Sequence, residues 1–128
     1  MGSQFVVQVE NRPGALARLV GALAARGVNM VHCAAGGAGS LGYAVLETED
    51  DEVTRDVLRS TGVSYVEGSP LTVELPNRPG ALASVVERLG RAGIDIRGLL
   101  TVGRTETAVT IAILVDDPPL ARTILGLD

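Results

Sequence analysis

The heptapeptide Asn-Arg-Pro-Gly-Ala-Leu-Ala occurs twice in this chain, at residues 11–17 and again at residues 77–83. Sliding the chain on itself by that offset also pairs Val20 with Val86, Leu23 with Leu89 and Gly27 with Gly93. Conservative pairs fill the gaps: Leu19 with Val85, Val28 with Ile94, Val45 with Ile111 and Asp50 with Asp116. Self-similarity of this kind means two copies of one supersecondary unit. The period is too long for a solenoid, so the chain reads as a tandem pair, residues 1–68 and 69–128.

Each copy spells out the same elements. Phe5, Val7 and Val9 alternate with polar or smaller neighbours as one face of a strand, and Leu71, Val73 and Leu75 match them. Leu16, Leu19, Val20 and Leu23 then follow the spacing of an amphipathic helix, repeated by Leu82, Val85, Val86 and Leu89. Gly27 and Gly93 fall where a helix takes a left-handed C-terminal residue. Two strands are expected next, roughly Val28 to Ala35 and Leu41 to Thr48, with Ile94 to Val102 and Thr107 to Val115 as their counterparts. A glycine-rich link, Gly36 to Ser40, joins the first pair. A second helix is predicted from Asp51 to Ser60, with Val53, Val57 and Leu58 inward, and Val63 to Val66 closes the unit as a strand. The order is β-α-β-β-α-β, a ferredoxin-like α+β unit.

The second copy is expected to lack its last strand. Asp117-Pro118-Pro119 starts a helix, with proline tolerated in the first turn, and no strand follows it. The first strand of that copy would then carry an uncovered edge, which proteins usually protect; a neighbouring subunit or the other repeat is expected to cover it. The strand from Ala108 to Val115 is also apolar at nearly every position, where a sheet covered on one side alone would alternate. Both features point to a homodimer.

Composition narrows the function. Eleven basic residues, all of them arginine, stand against 15 acidic ones, giving a net charge of -4. That balance argues against a nucleic-acid partner, and the absence of lysine excludes a Schiff-base or phosphate-loop lysine. The single cysteine, Cys33, cannot form an intrachain disulfide, which fits a reduced cytoplasm. No signal peptide or membrane-spanning run is evident, so no membrane partner is expected.

The repeated corner offers chemistry as well as structure. As plain structure, Pro13 suits a first helical turn, Asn11 accepts from an orphan amide, and Gly14 lets helix and strand approach closely. As a site, the same first amides point outward at the positive end of the helix dipole and can receive a carboxylate without a lysine. An asparagine carbonyl beside them would meet an ammonium group, so an α-amino acid fits both halves.

The stretches "VENRPGALARLVGALAARGVNM" and "LPNRPGALASVVERLGRAGIDI" resemble the opening of ACT domains, small β-α-β-β-α-β regulatory modules, many of which bind amino acids. The resemblance covers nearly the whole chain as two copies, short of the final strand in the second. It implies an effector held at the interface of paired modules by Asn11, Arg12, Pro13, Gly14, Ala15 and Leu16 in one site, and by Asn77, Arg78, Pro79, Gly80, Ala81 and Leu82 in the other. Asn29 and Asp95, opening the second strands, are the facing positions. It further implies a non-catalytic protein that signals occupancy to an enzyme on a separate chain, with no cofactor. Some serine-responsive members carry a histidine where this chain has Val9 and Leu75, so serine is not implied. A purely structural dimerisation pair is the rival reading.

Other candidates are poorer. His32 and Cys33 are each the sole residue of their type, and metal ligation needs several convergent ligands. His32 is expected to point with Val28 and Met30 toward the helices, on the opposite face from Cys33. The acidic run from Glu47 to Glu52 reads as a solvated helix cap. An RNA-recognition domain of this topology would need stacking aromatics, which make up 2% of the chain. A metal chaperone would need a Cys-x-x-Cys that is absent, and no acylphosphatase signature is present.

Overall fold

A computed structural model describes residues 2–127. The chain divides into two compact units between Ser69 and Pro70. The first contains β1 (Gln4–Glu10), α1 (Ala15–Ala25), β2 (Met30–Ala38), β3 (Leu41–Thr48), α2 (Asp51–Thr61) and β4 (Tyr65–Gly68). Its strands form one antiparallel sheet in the order β2-β3-β1-β4. The second contains β5 (Leu71–Pro76), α3 (Ala81–Arg91), β6 (Ile96–Arg104), β7 (Ala108–Val115) and α4 (Pro118–Leu125). Its sheet runs β5-β7-β6, and no fourth strand flanks β5 among the described residues. Both units have the α+β ferredoxin-like fold, the second truncated, as the duplicated pattern implied.

Each unit has its own core, because period-2 strands and 3.6-period helices turn one apolar face toward each other. Phe5, Val7, Leu19, Leu23, Ala44, Leu46, Val57 and Leu58 form the first. Leu71, Val73, Leu75, Val85, Leu89, Ile94, Ile111, Ile113, Val115 and Ala121 form the second. The run Ile111 to Val115 is buried at every position, in keeping with its lack of alternation. The helix stripe is only half used: Leu19 and Leu23 are buried, whereas Leu16 and Val20 are 40% and 37% exposed. Leu82 and Val86 repeat this at 43% and 38%.

Helix ends follow their residues. Gly27 and Gly93 take φ of 73° and 76°, the left-handed geometry that stops α1 and α3. The Asp50 side chain accepts from the Val53 N–H at 3.0 Å and caps α2, and Asp117 caps α4 through Leu120 N–H at 3.2 Å. The acidic run is therefore divided. Asp50 is a cap, but Glu47 lies in β3 and pairs with His32.

That pairing corrects the expected orientation of His32. Met30 is opposite Thr48 and His32 is opposite Glu47, so Val31 is an extra residue in β2. Such a bulge shifts the alternation by one. Met30 keeps the core side, while His32 turns to the other face, where its Nδ1 lies 2.9 Å from Glu47 Oε1. The glycine-rich link is likewise shorter than expected. Gly36, Gly37 and Ala38 pair within β2, leaving Gly39 and Ser40 as a two-residue hairpin with Gly39 at φ 65°.

Candidate functional site

The corner after the first strand of each unit is a tight turn set against a helix. Ala15 N–H donates to Arg12 O at 3.2 Å, with Pro13 and Gly14 between them. Gly14 has φ 86° and ψ -11°, and Gly80 has φ 87° and ψ -12°. This is the type II pattern, with proline at the second position and a positive-φ glycine at the third. Pro13 and Pro79 thus sit in the turn before the helix rather than in its first turn.

The asparagines act differently from a helix cap. Among the described residues no side chain caps α1 or α3. Asn11 instead donates from Nδ2 to Gly39 O at 2.9 Å, and its backbone N–H donates to Ser40 O at 3.1 Å. Asn77 does the same with Thr105 O at 2.8 Å and Thr107 O at 3.0 Å. Each asparagine ties its corner to the tip of the neighbouring hairpin. The glycine-rich composition before Leu41 was the signal that a hairpin tip lay there, but its partner in space was not visible from local pattern.

With Ala15 and Ala81 bonded inside their turns, the next amides, Leu16 and Ala17 or Leu82 and Ala83, have no backbone acceptor among the described residues. They face outward at the positive end of the helix. Beside the first corner lies a cleft of about 210 Å³, walled by Val9, Asn11, Arg12, Leu16, Ala35 and Gly42. On the other side of Arg12 a second cleft of about 300 Å³ is lined by Gln8, Glu10, Arg12, Arg18, Leu19 and Ser64. Arg12 is held by an exposed ion pair with Glu10. Arg78 lacks this neighbour, because Pro76 replaces the glutamate. The two corners therefore share a backbone and differ in charge.

Asn29 and Asp95 are not brought to the corner of their own unit. Asn29 lies at the opposite end of β2 from Gly37, its O accepting from Glu49 N–H at 3.0 Å and its Nδ2 donating to Glu49 Oε1 at 3.3 Å. Asp95 is held in the same way by Asp116, whose Oδ1 accepts from Asp95 N–H at 3.0 Å. Cys33 is exposed, and its register partner Leu46 sets it on the opposite face from His32. Among the described residues no three of His, Cys, Asp and Glu converge as metal ligands. No helix among them is long and apolar enough to cross a membrane.

Two ferredoxin-like units, each with a glycine turn opening onto helix amides that have no backbone acceptor among the described residues, define a small α+β module. The ACT domain family matches residues 3–60, which span most of the first unit, and the second unit repeats that fold without its last strand. The first unit is thus an ACT domain by this match.

Solved structures extend the likeness over nearly the whole chain. A protein from Bacteroides thetaiotaomicron is 19% identical with a TM-score of 0.71, covering 98% of this chain and 86% of its own. The regulatory subunit of aspartate kinase from Thermus thermophilus is 17% identical with a TM-score of 0.63, covering 98% and 89%. A structure of aspartokinase alpha and beta subunits is 18% identical with a TM-score of 0.61, covering 98% and 95%. At these identities the shared property is the fold. No curated protein matches the chain.

Proposed function

We propose that this chain is a non-catalytic regulatory module that binds a small amino acid at its β1–α1 and β5–α3 corners and relays occupancy to an enzyme on a separate chain, in a reduced cytoplasm. The observation that carries this reading is the duplicated corner: two glycine turns with φ within a degree of each other, each leaving helix amides without a backbone acceptor among the described residues. Two copies of a merely local structural device would not need to keep their outward donors open. A carboxylate would dock on Leu16 and Ala17, or on Leu82 and Ala83, through the amides and the helix dipole. The ammonium would meet the Asn11 or Asn77 side-chain oxygen, whose amide nitrogen is already engaged. Asn29 and Asp95, at the far ends of their own sheets, would contribute from a second, paired module. The fold likeness to proteins named as regulatory subunits of aspartate kinase supports a metabolic enzyme as the receiver. Relay requires that the ligand bind one arrangement of modules better than another.

A second reading has its own observation. Leu16, Val20, Leu82 and Val86 form matching exposed apolar pairs on α1 and α3, which suits a purely structural dimerisation module. Titration calorimetry against the twenty amino acids separates the two. A heat of binding from one or more of them, lost in Asn11→Ala/Asn77→Ala, supports the ligand reading. Silence across all twenty leaves the structural one.

A further inference from the structure

Backbone bonding in β5 assigns a direction to each of its groups. Asn77 N–H donates to Thr107 O at 3.0 Å, continuing the antiparallel ladder between β5 and β7. Alternation along that ladder turns the N–H and C=O of Leu71, Val73 and Leu75 toward β7, and those of Thr72 and Glu74 away from it. In the first unit the equivalent groups of Val6 and Gln8 face β4, and Gln8 N–H donates to Ser64 O at 2.9 Å. Among the described residues no strand lies beside Thr72 and Glu74. The positions flanking them on this edge are Pro70 and Pro76, which have no N–H. The open edge therefore has donors only at Thr72 and Glu74.

We propose that this edge pairs antiparallel with the same edge of a second copy, with the two-fold axis passing between the two Val73 residues. In that register Thr72 faces Glu74 of the second copy and Glu74 faces its Thr72, so every outward N–H finds a carbonyl. Proline faces proline at each end and closes the ladder where donors run out. Leu71 meets the second copy's Leu75, and Val73 meets Val73, all on the helix side. Thr72 against Glu74 on the other side puts no like charges opposite each other. Other registers fail. A one-residue slip sets apolar side chains against polar ones across the two faces, and a two-residue slip wastes donors on prolines or sets like residues, glutamate or threonine, opposite each other. An isologous interface must be complementary to itself, and this strand is.

The helix beside the edge also lacks cover. Counted from their capping aspartates, Val57 and Leu58 of α2 correspond to Ile124 and Leu125 of α4. The first pair is 2% and 0% exposed, whereas the second is half-buried. In the first unit Tyr65 of β4 packs against that core; among the described residues the second unit has no such strand.

Sedimentation velocity and amide exchange, on the chain without added amino acid, test this independently of the ligand proposal. The expected result is a dimer whose Thr72 and Glu74 amides gain protection as concentration rises. Thr72→Glu places a carboxylate opposite Glu74 at both symmetric sites and should weaken the dimer about tenfold at low salt, with recovery as salt is added. Thr72→Lys should tighten it. Both changes are at an exposed side chain, and circular dichroism checks that the fold is kept. A chain that stays monomeric, or a dimer that neither substitution moves and whose Thr72 and Glu74 amides exchange independently of concentration, overturns the proposal.

Discussion

A Cβ added to Gly37 would stand 2.6 Å from Asn11 Oδ1. The asparagine therefore lies against a backbone position that glycine alone leaves open, while its Nδ2 reaches Gly39 O at 2.9 Å. At the equivalent glycine of the second unit, Gly103, an added Cβ would meet Thr110 at 3.6 Å, an ordinary contact. The two corners share a hydrogen bond but not the surface that supports it.

Gly37→Ala should rotate Asn11 away and break its bond to Gly39, destabilising the first unit by about 1 kcal/mol. Gly103→Ala should cost much less. Urea unfolding of both variants checks this, and equal losses would remove the Asn11 contact as the cause.

The glycine turns give a second comparison. Gly14 and Gly80 sit in open space but at φ 86° and 87°, so alanine there meets no clash and only backbone strain. Gly14→Ala and Gly80→Ala should each cost about 1–2 kcal/mol. Gly21, inside α1 with open space and without positive φ, should gain roughly 0.5–1 kcal/mol as alanine. Opposite signs in thermal unfolding are the expected outcome.

Arg55 of α2 and Glu67 of β4 form a two-armed ion pair, with Nη2 2.9 Å from Oε2. The hydrogen bond from Arg55 holds the Glu67 carboxyl below its ordinary range, against the opposing effect of burial. Arg55 is itself shifted upward, mainly by the same bond, and stays charged throughout. A depressed carboxyl contributes stability above its unfolded pKa, about 4.3, and loses it as pH falls through the folded value. Unfolding midpoints of the parent chain and Glu67→Gln should therefore differ most above about pH 5 and converge in acid. A constant gap across the range would contradict this.

Buried hydroxyls join α2 to the end of β3. Thr54 Oγ1 lies 2.7 Å from Thr48 Oγ1 and 2.7 Å from Asp50 O, and both threonines are buried. Thr54→Val keeps the volume but removes the partner of the Thr48 hydroxyl, whose oxygen then keeps the Asp50 N–H at 3.3 Å, and should cost about 1–2 kcal/mol. Thr54→Ser should retain most of the stability in the same denaturation assay.

Local chemistry explains how much of the site was legible. Pro13 and Gly14 announce a turn in any context, because one fixes φ and the other tolerates its reversal. The candidate corner was therefore located from residues alone, although Pro13 was read into the first turn of the helix and lies in the turn before it. The role of Asn11 was not, because Gly39 is distant in sequence and reaches it only through the β1–β3 register. Asn29 was grouped with Asn11 by resemblance, yet the sheet sets them at opposite ends of one unit.

Periodicity and duplication determined the two units, the strand faces holding Phe5 and Leu71, and the glycine stops at Gly27 and Gly93, since each depends on a chain's own neighbours. Tertiary structure decided what needed a second element. The bulge at Val31 turned His32 from the core toward Glu47. Leu16 and Val20 carry the same apolar spacing as Leu19 and Leu23 but remain exposed. Hydrophobic spacing specifies a face, and only the packed sheet specifies how much of that face is covered.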